Sequence, residues 1–231
     1  LRGIDKLVRR LDWTPPASHW SGYQGSCTYS AQDREVKERF VDTALNGTDA
    51  GLVLDLGAND GTYSRIAARH AGQVLAVEGD PAVVDHLYRQ LRADGERRIL
   101  PLVMDLADPS PGIGWRGVER AAFAERAQAD GVLALAVIHH LAIGRNIPLP
   151  EVLDWLTGFL SRAGATGRMV VEFVHPEDPM AQRLLANKPA GLFPDYHRDA
   201  CERRLGERCA VVRREELPSG TRTLYLAVPR G

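Results

Sequence analysis

The chain has 231 residues, 44% of them hydrophobic, which is enough apolar material for one sizeable core. Its 29 basic and 30 acidic residues leave a formal net charge of −1, which argues against a nucleic-acid-binding surface. No apolar run approaches membrane-spanning length, and Cys27, Cys201 and Cys209 form no C-x-x-C pair, so a reducing cytoplasm fits better than a disulfide framework or a zinc site. Ile4, Leu7, Val8 and Leu11 recur at helical spacing and predict an amphipathic helix. Thr14–Ser30 reads as a loop with Pro15, Pro16, Gly22 and Gly25, carrying the aromatics Trp20, Tyr23 and Tyr29. A second helix is expected over Ala31–Leu45, with Val36, Phe40, Val41 and Leu45 turned inward. The expected organisation is an N-terminal helical extension over 1–48 and a single domain over 49–231. No signal peptide is expected ahead of it, and a chain starting at Leu1 is expected to be a processed form or the C-terminal part of a longer protein.

Residues 53–64, Val-Leu-Asp-Leu-Gly-Ala-Asn-Asp-Gly-Thr-Tyr-Ser, carry most of the functional signal. The apolar run Leu52–Leu54 predicts a buried strand that ends at Asp55 and Gly57, and a helical pattern follows at Ser64–His70. A strand that stops at glycines before a helix presents backbone N–H groups at the tip of a sheet. Gly57 and Gly61 carry no side chain, so a flat ligand can approach the main chain there. Asp55 adds a negative charge, which is wrong for a pyrophosphate and right for an ammonium or sulfonium centre.

A second strand is predicted over Gln73–Glu78, followed by Gly79-Asp80-Pro81, with Asp80 as helix cap and Pro81 in the first turn. An acid such as Glu78 at this strand tip can accept hydrogen bonds from both hydroxyls of a ribose. A third strand over Arg98–Met104 ends at Asp105-Leu106. The fourth, Asp130–Val137, is almost wholly apolar, as a central parallel strand should be, and runs into Ile138-His139-His140-Leu141. A helix over Leu149–Ser161 leads through Gly164 and Gly167 to a fifth strand, Met169–Val174. Beyond it lie a helix at Met180–Ala186, a loop at Lys188–Tyr196 and a helix at Arg198–Gly206. Cys209–Glu216 and Thr221–Val228, joined by a turn at Pro218-Ser219-Gly220, form an antiparallel hairpin.

The segment Asp55-Leu56-Gly57-Ala58-Asn59-Asp60-Gly61 resembles the first motif of the class I S-adenosylmethionine-dependent methyltransferases. Asn59 and Asp60 stand where Gly and Thr are commoner in that family; Asn59 can still turn the backbone. Asp105-Leu106-Ala107-Asp108-Pro109 through Trp115, Leu135–Ile143 and Leu192–Tyr196 are closer to a bacterial branch of nodulation-protein-related methyltransferases. The resemblance covers about residues 50–231. It implies an α/β fold: a Rossmann-like, doubly wound, mostly parallel seven-stranded sheet whose last strand inserts antiparallel.

The resemblance also implies S-adenosyl-L-methionine as cofactor and S-adenosyl-L-homocysteine as product. Asp55, Gly57, Asn59, Gly61, Glu78, Asp105 and Leu106 are the candidate cofactor-binding residues. Glu78 would take the ribose, Asp105 the adenine amino group, and the Leu106 N–H a ring nitrogen. In this family, segments before the first strand often form a lid over the donor; Tyr29 is the candidate here, with Trp20 more simply a staple to the core. His139, His140 and Glu172 are the candidate catalytic residues, with His140 favoured as a general base. Tyr29, His140, Glu172 and Tyr196 are expected to wall the acceptor pocket, and the preferred acceptor is a small molecule.

Other readings are weaker. His139, His140, Glu172, His175, Glu177 and Asp178 come from adjacent strand tips but lack the H-x-x-x-H spacing of a zinc enzyme, so a polar acceptor pocket is preferred to a metal. A dinucleotide oxidoreductase shares the ribose acid, but the G-x-G-x-x-G spacing is absent and Asp55 would repel a pyrophosphate. A donor-binding module without turnover, or a methyltransferase acting on a macromolecule, are the alternatives within the fold. An additional N-terminal domain or a homo-oligomer is compatible with the exposed faces of the first two helices.

Overall fold

The computed structural model describes residues 2–8, 10–11, 30–160 and 162–230; Trp20, Tyr23, Cys27 and Tyr29 lie outside the described residues. The first amphipathic helix is α1, Arg2–Val8, on which Ile4, Leu7 and Val8 are exposed. Helix α2, Ala31–Leu45, has the bounds expected from its sequence. Its start is set by a capping box: the Ser30 hydroxyl accepts from the Asp33 N–H at 3.0 Å, and the Asp33 carboxylate accepts from the Ser30 N–H at 3.1 Å.

Seven strands form one sheet: β1 Ala50–Leu56, β2 Ala71–Glu78, β3 Ile99–Val103, β4 Gly131–Ala134, β5 Arg168–Val174, β6 Cys209–Glu216 and β7 Arg222–Pro229. Their order is β3-β2-β1-β4-β5-β7-β6. β1 to β5 are mutually parallel, and β7 lies antiparallel between β5 and β6. The chain winds outward from β1 through β2 to β3, then returns to β4 on the other side. This reversal opens a crevice at the C-terminal tips of β1 and β4, where ligands bind in open α/β sheets. Asp55, Glu78 and the residues after β3 and β4 are all delivered to that edge.

Alternation along the strands builds two apolar layers. On one face Val53, Val74, Leu133, Val170 and Leu224 meet Phe40, Val41 and Leu45 of α2, Ile66 of α3 (Thr62–Ala67) and Leu87 of α4 (Pro81–Ala93). On the other, Leu54, Val132, Val171 and Tyr225 pack with Phe123 of α5 (Phe123–Arg126), Leu153 and Leu156 of α6 (Leu149–Gly158), Ala181 of α7 (Pro179–Leu185) and Leu205 of α8 (Arg198–Arg208). Phe40, Val41 and Leu45 are fully buried, each contributing about 1.5–3 kcal/mol over an exposed position. The second helix of the N-terminal segment is thus part of the core.

Most element ends shift from expectation by one or two residues. The larger difference is β4, which stops at Ala134 although the apolar run continues. Leu135, Val137 and Ile138 stay buried, but in a turn that passes through a left-handed Ala136, φ +53°. Burial alone makes such a stretch apolar, so composition cannot separate strand from buried turn there. The helix after Gly61 is also short, ending at Ala67, and β2 begins already at Ala71. Asp80 caps α4 as expected, accepting from the Ala82 N–H at 2.8 Å, with Pro81 in the first turn.

Candidate active site

The turn from β1 to α3 is held by its own backbone. The Gly57 and Ala58 N–H groups donate to the Val77 carbonyl at 2.8 and 3.0 Å, tying the turn to β2. Gly57 (φ +80°) and Asn59 (φ +48°) are left-handed, a conformation glycine and asparagine tolerate best. Gly61 is also left-handed, and a Cβ there would lie 2.5 Å from Leu87 Cδ1. The sequence reading gave Gly61 to ligand approach; packing against α4 also demands it.

Asp55 is buried at the end of β1 and accepts a 2.6 Å hydrogen bond from the Ser64 hydroxyl of α3. Burial pushes its carboxyl up to about 6, against the opposing effects of the Ser64 bond and the Lys37 cation; the charges of Glu78 and Asp60 add to the rise. A buried carboxylate in this position gains most from a cationic partner.

Glu78 joins two turns. One carboxylate oxygen accepts from the Gly79 and Asp80 N–H groups at 2.7 and 3.1 Å, and the other accepts from the Asn59 N–H at 3.0 Å. A carboxylate has about four acceptor directions, so it retains capacity for a ligand hydroxyl. Asp105 is exposed after β3, accepts from the Ala107 N–H at 2.9 Å and is ion-paired with Arg145. Leu106 beside it is half-buried against the core.

Past β4 the chain makes a single wide helical turn, His140–Gly144, closed by the Arg145 N–H donating to the His140 carbonyl at 3.0 Å. Such turns recur at functional sites. The rings of His139 and His140 lie 4.1 Å apart, tilted by 39°. His139 is fully buried, and neither of its ring nitrogens has a hydrogen-bond partner among the described residues. Burial, then the neighbouring His140, Arg222 and Lys37, hold His139 well below the ordinary imidazole range. Burial and the Arg222 cation push His140 down to about 4. Both rings are therefore neutral at pH 7.

Glu172, expected at the acceptor wall, is fully buried inside a chain of ion pairs. Its carboxylate meets the Lys37 ammonium of α2 at 2.6 Å and the Arg222 guanidinium of β7 at 3.2 Å. Arg222 in turn forks onto Asp178 at 2.8 and 3.1 Å. Asp178 also caps α7 through the Met180 N–H at 2.8 Å. Tyr196, another expected wall residue, is buried and donates its hydroxyl to the Val174 carbonyl at 2.8 Å. His175 bonds Thr223 at 2.8 Å and Glu177 is exposed. Among the described residues no three His, Cys, Asp or Glu side chains group as a metal site.

Lys37, Ser64, Arg145 and Arg222 escaped the sequence reading. Lys37 had a signal: it shares a helical face with Phe40, Val41 and Ala44, and a lysine on an apolar face calls for a buried partner. The others had none, because their partners are set by the fold.

No protein-family model matches the chain. It is 35% identical over 209 residues to nodulation protein NoeA of Rhizobium meliloti (strain 1021), a match covering 90% of this chain. The chain spans only 42% of that relative's length. Among solved structures, the N-methyltransferase NodS from Bradyrhizobium japonicum WM9, in complex with S-adenosyl-L-homocysteine, aligns at TM-score 0.62 and 14% identity, over 98% of each chain. Magnesium protoporphyrin IX methyltransferase from Synechocystis PCC 6803 aligns at TM-score 0.56 and 18% identity, over 100% of this chain and 94% of that one. Identities this low speak to fold alone. Sheet order and these likenesses show that the chain has the fold of the S-adenosylmethionine-dependent methyltransferases, and its sequence is similar to part of nodulation protein NoeA.

Proposed function

We propose that the chain is a methyltransferase that uses S-adenosyl-L-methionine to methylate a small-molecule acceptor in the cytoplasm. The observation that carries this reading is the row of acids Asp55, Glu78 and Asp105 at the tips of β1, β2 and β3, beside a neutral His140 past β4. When bound, the cofactor supplies a methyl group already activated on a sulfonium. The residues present fit it: Asp55 is a buried acid that would meet its cationic end, Glu78 has acceptor capacity left that would serve the ribose, and Asp105 with Leu106 would take the adenine. The neutral His140 suits an acceptor that carries a proton on its nucleophile.

The protein's own work is then alignment, exclusion of water and removal of that proton. Alignment alone can supply several kcal/mol, up to about 7–11. His140 is neutral at pH 7 and can accept the proton on a ring nitrogen. A base this weak acts as the new bond forms and the acceptor turns acidic. Glu172 acts through Lys37 and Arg222 rather than on the acceptor. The N-terminal segment 1–48, with Tyr29, would cover the donor.

Calorimetric titration with S-adenosylmethionine, S-adenosylhomocysteine and NAD tests the reading. Micromolar binding of both adenosyl ligands, abolished by Asp55→Ala and Glu78→Ala, is expected. Silence toward them from a folded sample, or binding of NAD instead, would overturn it. His140→Ala is expected to keep donor affinity and lower turnover about 10²–10⁴-fold; unchanged turnover would remove His140 from the mechanism.

A further inference from the structure

Lys37 joins the N-terminal helix to β5 and α3 at two points. Its ammonium is buried, lies 2.6 Å from Glu172 at the end of β5, and sits 4.6 Å from the centre of the Tyr63 ring on α3. The next residue of α3, Ser64, donates to Asp55. A buried cation is costly unless paired, and one anion would satisfy it. Lys37 pairs with the Glu172 carboxylate, and its charge also favours the ionised form of Asp55.

We infer that Lys37 is a positioning residue of the donor site: docking of helix α2 places its ammonium beside the β1 turn, and this holds the negative charge of Asp55 ready for a cationic ligand. The inference rests on the donor-site reading given above. Glu172, Arg222 and Asp178 then form the anchor that keeps Lys37 in place, since Glu172 is itself pinned by Arg222, and Arg222 by Asp178. Among the described residues, the charged and polar groups acting on Asp55 are Ser64 from α3, Lys37 from α2, Glu78 from β2 and Asp60 from the turn, and Lys37 is the cation in that set. Withdrawing α2, or its lysine, leaves Asp55, among the described residues, with the Ser64 bond to favour ionisation.

The test follows the Asp55 carboxyl by carbon NMR in the ligand-free protein, across pH 4–9, in wild type, Lys37→Arg, Lys37→Gln and the double variant Lys37→Gln/Glu172→Gln. The double variant leaves neither partner of the pair charged and unmatched, which guards against unfolding. The titration midpoint is expected near that of wild type in Lys37→Arg. It should rise to about 7 or above in the two variants lacking the cation. S-adenosylmethionine affinity at pH 6 should fall roughly fivefold with it. A purely structural lysine would lower stability and leave the midpoint where it was, and that result in the double variant overturns the proposal. Because the NMR readout uses no ligand, it stands even if wild type binds no adenosyl compound, an outcome that would sink the donor-site reading separately.

Discussion

The Ser64 hydroxyl reaches back 2.6 Å to the Asp55 carboxylate, so the first turn of α3 is fastened to the end of β1 inside the protein. Asp55 is pushed up to about 6 by burial even with this bond in place. An acid whose folded value lies above its unfolded value of about 4 binds its proton more tightly when native. Stability therefore falls as pH rises from about 4 to about 6, by about 3 kcal/mol, and this contribution is flat above that window. Asp55→Asn should remove this slope, readable as denaturation midpoints in urea at pH 4, 5, 6 and 7. In the same window a cationic donor should bind more tightly as pH rises, with the gain levelling off above pH 6–7. Ser64→Ala should move that levelling to higher pH; a donor affinity with unchanged pH dependence would show that the bond does not favour the ionised form.

Glu78 accepts three backbone N–H groups from two turns, so it stabilises both the site and its scaffold. Glu78→Gln keeps the shape but loses the charge assistance of bonds worth about 1.5–3 kcal/mol each when the acceptor is charged, less where the donor is exposed. Adenosyl ligand affinity should drop at least tenfold, with a Tm loss of a few degrees. A variant with normal Tm and normal affinity would show that Glu78 does not reach the ribose.

Arg145 and Asp105 form a surface ion pair, joining the loop after β3 to the turn after β4. Exposed pairs contribute about 0–1 kcal/mol, so Arg145→Ala should leave Tm almost unchanged. If Asp105 serves the adenine amino group, freeing it should tighten S-adenosylhomocysteine binding by up to about fivefold at low salt, with less difference at 0.5 M NaCl. Calorimetry at two ionic strengths measures this, and weaker binding in the variant would instead assign Arg145 to the ligand.

Gly61→Ala should cost about 1–3 kcal/mol of stability, from left-handed strain and contact with Leu87. Gly61→Ala/Leu87→Ala relieves the contact and not the strain. A urea series that finds the double variant no better than the sum of two independent losses would place the requirement for glycine in the backbone alone.

Much of the architecture was legible because it is written locally. The turn Asp55–Gly61, the Asp80-Pro81 helix start and the C-terminal hairpin each draw mostly on residues a few positions apart and on backbone preferences, with Leu87 adding a packing demand at Gly61. The tip of β4 was harder: the run 131–138 is apolar and buried on either side of a half-buried Ala136, which breaks the strand conformation within it. The pairing of Lys37 with Glu172 and of Arg222 with Asp178 was decided only by the tertiary structure. Those side chains come from α2, β5, β7 and the start of α7, and only the insertion of β7 beside β5, with α2 packed over the sheet, brings them within ion-pair distance. The chain by itself determined which groups of that network carry charge. The fold decided which opposite charge each one meets away from water, and so set Glu172, an acceptor-pocket candidate by sequence, between the buried cations Lys37 and Arg222.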